Sequence, residues 1–374
     1  MSDKKNDMLT IIVIAGIVLA FSLVDFWAKF GLFGEKRMPK PSESIEVTQV
    51  NFHRGDMLKQ YADWEAEHFF NRAKFEKINF DLRLFWGKRD LDDIYIGKHG
   101  RYFEMHPQGA YREEMILEGL GELGRIAEEF DAEILLVPTS DEIWKKDLPA
   151  YADSFDQKAF LERVKAFVGT EHLLDVWSVL KGLEEEKIYY DTDPHWTTFA
   201  AYKTYLAWRE KKGEQPYYWD ENKQVLITKH FRGEYGIHEQ LEMKDDALYI
   251  FRETYRNPIV VELDGERNLE GFYRPEFMSG EHGYDYFLGN DFTVAKIETG
   301  RAREKSLVLL GDSYARCMIP FLAPHYQTIT FWNLDNCRGN LLEILKGQET
   351  KDVDYMLLQS VPGFLNRFGK DLEE

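Results

Sequence analysis

Five short apolar runs, at residues 133–137, 173–177, 306–310, 328–332 and 355–358, do most to limit how this chain can fold. In the third, Leu307, Val308, Leu309 and Leu310 fill successive positions, so a strand made of them leaves no face for water. The runs are separated by helical periodicity over residues 116–130, 160–168, 314–322 and 341–345. Strand and helix alternating in this way predict an α/β fold with a parallel sheet covered on both faces. Its ligand site is expected at the carboxyl ends of the strands.

Composition supports a large globular body. The 374 residues are 44% hydrophobic with only 12 Pro and 27 Gly, which suits a packed core rather than a disordered or fibrous chain. The 47 Lys and Arg against 66 Asp and Glu leave a formal charge of −19. Nucleic acid is therefore not an expected partner, because a polyanion needs a basic face. Two cysteines cannot staple a mini-fold or build a four-cysteine zinc site. Glu184, Glu185 and Glu186 read as a solvated charged patch.

The first thirty residues have a different character. Residues 8–24 carry no charge and are dominated by Leu, Ile, Val, Ala and Phe, at the short end of a bilayer-spanning helix. Phe26, Trp27 and Phe30 follow where an interfacial aromatic belt would lie. Counting Lys4 and Lys5 against Lys29, Lys36, Arg37 and Lys40 does not orient the segment. A short tail, one apolar segment and a large polar domain form the layout of a signal anchor, and Ala20-Phe21-Ser22 matches a cleavage site poorly. The expectation is an uncleaved single-pass anchor in the cell membrane with the domain extracytoplasmic. Cys317 and Cys337 would then lie in an oxidising space where they could pair. The expected organisation is a tail and anchor over 1–30, a tether over 31–55 and one domain over 56–374.

Two segments have the makings of chemistry. Gly311-Asp312-Ser313 follows an apolar strand and precedes a helix, so a serine there stands at the sheet's carboxyl edge beside free helix N–H groups. The same triplet also fits a plain strand-to-helix turn with Asp312 or Ser313 as the helix cap. In Asp191-Thr192-Asp193-Pro194-His195-Trp196, Asp193 and Pro194 also read as a helix start. A carboxylate two residues from a histidine can instead accept its Nδ1 hydrogen and free Nε2 to take a proton, with Asp191 a competitor for that role. Together the segments supply the parts of an activated nucleophile.

Asp193-Pro194-His195-Trp196 with Gly311-Asp312-Ser313 resembles the SGNH-hydrolase-like proteins of the DHHW and alginate O-acetyltransferase type. Residues 93–100, Val137-Pro138-Thr139, Leu148-Pro149, residues 284–290 and Pro320-Phe321-Leu322-Ala323 resemble further family blocks, from about residue 60 to the end. The resemblance implies an SGNH-like three-layer sandwich with a mostly parallel sheet and permuted motif order, since the histidine precedes the serine. It implies Ser313 as nucleophile, His195 as base and then acid, and Asp193 as the residue orienting it. It further suggests an oxyanion site at the Ser313 amide with Gly289 and Asn290, and substrate contacts at Trp196, Tyr190, Tyr314 and Arg338. Pro194 departs from the family's lettering, and residues 335–338 match its following motif loosely.

The function so implied is an anchored O-acetyltransferase that passes an acetyl group through an acyl-serine to a hydroxyl of a cell-envelope or secreted polysaccharide. Its implied partner is a multi-spanning membrane-bound O-acyltransferase. Acyl transfer of this kind requires no cofactor, and no H-E-x-x-H, C-x-x-C or phosphate-loop pattern suggests a metal or nucleotide. Two rivals remain open: a carbohydrate acetylesterase using the same triad with water, and a non-catalytic glycan-binding scaffold whose exposed aromatics do the binding.

Overall fold

The computed structural model describes residues 16, 19–24, 72–238, 240–252, 259–279, 282–301, 305–337, 339–348 and 351–368. It divides into two units, residues 1–88 and 89–374. In the first, residues 16 and 19–24 are helical and a helix α1 spans Arg72–Phe85. Most of the apolar run at 8–24, and all of the tether at 31–55, lie outside the described residues. Among the described residues no helix is long and apolar enough to cross a membrane.

The second unit opens with a small antiparallel sheet, β1 (Asp90–Leu91), β2 (Ile94–Ile96) and β3 (Tyr102–Glu104). There follow α2 (Glu113–Phe130), β4 (Glu133–Val137), α3 (Ser140–Ile143), α4 (Gln157–Val168), α5 (Val176–Lys181) and α6 (Thr198–Lys211). A two-stranded ribbon of β5 (Gln224–Phe231) and β6 (Asp246–Phe251) comes next, then β7 (Val260–Leu263), β8 (Glu266–Glu270) and β9 (Val294–Glu298). The chain ends with β10 (Ser306–Gly311), α7 (Ser313–Arg316), α8 (Ile319–Leu322), β11 (Thr328–Asn333), α9 (Leu341–Lys346), β12 (Val353–Ser360) and α10 (Val361–Asn366).

Seven strands form the main sheet in the order β4-β12-β10-β11-β9-β7-β8. The first four run parallel and the other three continue it antiparallel. The sheet is thus mixed rather than mostly parallel. The parallel strands announce themselves by unbroken apolar runs. In β9, buried Ala295 and Ile297 alternate with Lys296 and Glu298, a one-sided pattern without such a run.

Alternation along the parallel strands sends side chains into two cores, one on each face. Leu135, Leu309 and Leu358 pack with Ala201 and Tyr205 of α6 and Ile319 of α8. Leu136, Leu310 and Leu357 pack with Leu123 of α2, Val164 of α4 and Phe364 of α10. Cys317 belongs to the first core and Cys337 to the second, and both thiols are free. The sheet lies between them, so the pairing that the sequence left open would require rearrangement.

Local structure differs from expectation in two further places. Only Leu173 of the 173–177 run bridges to the sheet, because the Asp175 side chain accepts from the Ser178 amide at 3.0 Å and starts α5. The stretch 314–322 forms two short helices, with Pro320 in the first turn of the second.

The β10 turn is held from below. Asp312 Oδ1 caps α7 by accepting from the Tyr314 amide at 3.0 Å, while Oδ2 accepts from the Ser360 amide at 2.7 Å and its hydroxyl at 2.9 Å. Burial, then the neighbouring Asp335 charge, pushes the Asp312 carboxyl up to about 7 despite those donors. Gly311 has no room for a side chain: a Cβ would lie 2.5 Å from that of Ala315 and 2.7 Å from the Leu358 carbonyl oxygen. Gly311→Ala is expected to cost about 1–3 kcal/mol through overpacking, measured as a lower urea midpoint at unchanged slope.

Candidate functional site

The site is assembled where β10, β11 and β12 end. Ser313 is the first residue of α7, and its Oγ lies 2.7 Å from His195 Nε2. On the other side of the ring, Nδ1 lies 2.6 Å from Asp193 Oδ1. That oxygen also accepts from the His195 amide at 3.0 Å, and Oδ2 accepts from the Glu234 amide at 3.3 Å. Asp193 is therefore no helix cap; Thr197 caps α6 instead. Asp191 turns to Lys187 and drops out as a competitor.

The loop presenting His195 is rigidly supported. Asp246 at the start of β6 accepts from the amides of Asp191 and Thr192, both at 2.8 Å, and from the Thr192 hydroxyl at 2.9 Å. The Tyr314 hydroxyl donates to the Pro194 carbonyl at 2.6 Å, and Trp196 Nε1 donates to the Tyr314 carbonyl at 3.0 Å. Tyr284 stacks on the imidazole with centroids 3.9 Å apart and planes 6° from parallel. Gly233 allows the close approach to Asp193, since a Cβ there would lie 2.1 Å from its Oδ2.

Electrostatics suit a general base. Burial by itself would push the His195 imidazole down, but the Asp193 charge and hydrogen bond outweigh it and raise it above 6.5. The neutral ring holds its hydrogen on Nδ1 toward Asp193 and presents a lone pair to Ser313. The arrangement can generate a serine nucleophile and return a proton to a leaving group.

A pocket of about 220 Å³ opens on Ser313, with Asp193, Glu234, Asn290, Arg316 and Asp335 in its wall. A larger cavity, about 740 Å³, is lined instead by residues that include Arg209, Lys305 and Asp354 and by none of the triad. Arg316 Nη1 donates to Asp285 Oδ1 and the Gly289 carbonyl, both at 2.7 Å. Asp193, His195 and Glu234 each place a ligand atom within 4.8 Å of the others. A divalent cation taken there would compete with the Ser313–His195–Asp193 hydrogen bonds rather than assist them.

Several sequence expectations need correction. Trp196, Tyr190 and Tyr314 are buried in the core beside His195 and do not line the Ser313 pocket, so they offer it no stacking surface. The Gly289 amide donates to the Asp285 carbonyl at 2.8 Å and has no proton left for an oxyanion. The Ser313 amide donates to Asp335 Oδ2 at 2.9 Å in this state. Asn290 does line the pocket, its carboxamide oxygen accepting from Asn333 Nδ2 at 3.2 Å. Arg338 lies outside the described residues. Glu234, Arg316 and Asp246 carry no motif, and only the folded chain brings them to the triad.

Residues 136–331, just over half the chain and spanning both His195 and Ser313, match the DHHW protein family. The chain belongs to that family. No curated relative matches in sequence. Among solved structures, the DHHW protein fold here is similar to a DHHW family protein from Eubacterium siraeum at 17% identity and a TM-score of 0.56, covering 75% of this chain and 91% of that one. It is also similar to Bacillus cereus PatB1 with a sulfonyl adduct, at 15% identity and a TM-score of 0.57, covering 75% and 98%. These likenesses establish a mixed α/β fold shared over three quarters of this chain and nearly the whole of each neighbour.

Two outcomes test the site. With an aryl acetate as probe, kcat/KM should rise with pH through a midpoint above 6.5, where the imidazole loses its proton. Asp193→Asn should move that midpoint down and cut the rate by about 10⁴-fold. Gly233→Ala, which drives a methyl into Asp193, should lower kcat/KM by about 100-fold while circular dichroism remains that of the folded protein.

Proposed function

We propose that this DHHW protein is a serine-dependent O-acyltransferase working outside the cell membrane, held there by residues 8–24. In this reading it acetylates hydroxyl groups of an envelope or secreted polysaccharide, with acetyl groups delivered by a multi-spanning membrane acyltransferase. The observation that carries the reading is the unbroken hydrogen-bond chain from Asp193 through His195 to Ser313.

His195 Nε2 takes the Ser313 proton as Oγ attacks the donor's carbonyl carbon. The tetrahedral intermediate expels the donor alcohol or thiol, which leaves with the proton from His195, and acyl-Ser313 remains. An acceptor hydroxyl then gives its proton to His195 and attacks the same carbon; the C–Oγ bond breaks and His195 returns that proton to Oγ, restoring Ser313. Asp193 keeps the ring oriented and supports its positive charge in both halves. Asn290 and Arg316 line the pocket where negative charge develops, and the Ser313 amide joins them once Asp335 releases it.

The pocket is small and its wall is mostly polar, which favours hydrolysis as the second reading, because little in it excludes water. Burial of Trp196, Tyr190 and Tyr314 removes the platform on which the scaffold reading depended.

The experiment is reaction with a sulfonyl fluoride, the class of reagent that PatB1's sulfonyl adduct recommends. Mass spectrometry should find one adduct on Ser313, none in Ser313→Ala and far slower labelling in His195→Ala. A folded protein that takes no adduct would refute the acyl-serine step. Incubation with an acetyl ester and an oligosaccharide separates the two readings: acetylated sugar means transfer, and free acetate released at a rate indifferent to sugar means hydrolysis.

A further inference from the structure

We propose that Asp335 and Glu234 make the Ser313 pocket selective for charge, so that it takes neutral or cationic esters and acceptors and turns away anionic ones, uronate polymers included. The proposal deepens the acyl-transfer reading and rests on Ser313 being the residue acylated.

The carboxylate of Asp335 sits 2.9 Å from the Ser313 amide nitrogen, where the oxygen of a tetrahedral intermediate would be received. Asp335 belongs to the exposed turn that follows β11, and the same turn's Leu334 amide donates to the Gly311 carbonyl at 2.7 Å. A substrate must displace this side chain from the amide, but the backbone keeps its charge at the pocket rim. Glu234 stands at the wall nearer His195, its backbone N–H donating to Asp193 Oδ2 and its carboxylate within 4.8 Å of the triad's ring and carboxylate.

Positive charge does not offset them. Four carboxylates, from Asp193, Glu234, Asp285 and Asp335, line the pocket against one guanidinium, that of Arg316. Arg316 is buried and committed to Asp285 and the Gly289 carbonyl. The other basic group in the wall is His282, which is exposed to solvent. A chain of net charge −19 adds repulsion at longer range. Two rim charges several ångströms from a bound anion, partly screened by water, disfavour it by about tenfold.

The test uses the full chain and three acetyl esters whose leaving groups are cationic, neutral or anionic: acetylthiocholine, phenyl acetate and 4-acetoxybenzoate. Intrinsic reactivities differ, so the reading is the ratio of kcat/KM between esters in each variant relative to wild type. Glu234→Gln and Asp335→Asn together should raise the anionic-to-neutral ratio about tenfold and lower the cationic-to-neutral ratio. Glu234→Gln, which leaves the Asp335 contact intact, should give part of the same shift, and 0.5 M salt should compress the wild-type differences. Ratios that stay fixed overturn the proposal. A uniform rise for all three esters also overturns it, since that reports release of the Ser313 amide without charge selection. Sulfonyl labelling of Ser313 in the same samples tells the two failures apart: labelling with fixed ratios sinks only the charge selection, and no labelling sinks the acyl-serine reading with it.

Discussion

His195 is gripped at both ring nitrogens by groups that the chain supplies from very different places. Asp193 is two residues away, while Ser313 comes 118 positions later, and the imidazole closes that interval with a 2.7 Å hydrogen bond. For the ring to serve both contacts, the loop before α6 and the end of β10 must each be immobile. The two cores of the sheet fix the strand end, and Asp246, Tyr284, Tyr314 and Trp196 fix the loop.

Burial of those aromatics decides how the site works. The ring lies in a poorly hydrated wall, so the Asp193 charge acts on it at short range and holds a positive imidazole that water would otherwise have to stabilise. Solvent is left the Ser313 side, where the pocket is small and carries four carboxylates in its wall. Trp196, Tyr190, Tyr284 and Tyr314 therefore pack around His195 in the core.

Asp312 shows how the same rim couples strands. Its two carboxylate oxygens tie the first turn after β10 to the first turn after β12, and its neighbour Asp335 comes from the turn after β11. Three adjacent parallel strands thus end in one hydrogen-bonded cluster around Ser313. That arrangement follows from parallel pairing, which puts like ends of neighbouring strands together.

The sequence by itself determined the parallel half of the sheet, most of the helices that cover it, and two segments able to carry chemistry, whose meeting the family resemblance implied and the fold supplied. Unbroken apolar runs can be buried only from both sides, and Gly-Asp-Ser and Asp-x-His carry their chemistry within a few residues. Tertiary structure alone decided the rest. The antiparallel strands β7 to β9 and the positions of Asp335, Glu234, Arg316 and Asp246 depend on contacts between segments tens of residues apart, which no local pattern records. The fate of Trp196, Tyr190 and Tyr314 was equally hidden: an aromatic beside a histidine reads the same whether it faces water or core, and only the packing around α6 and α7 chose the core.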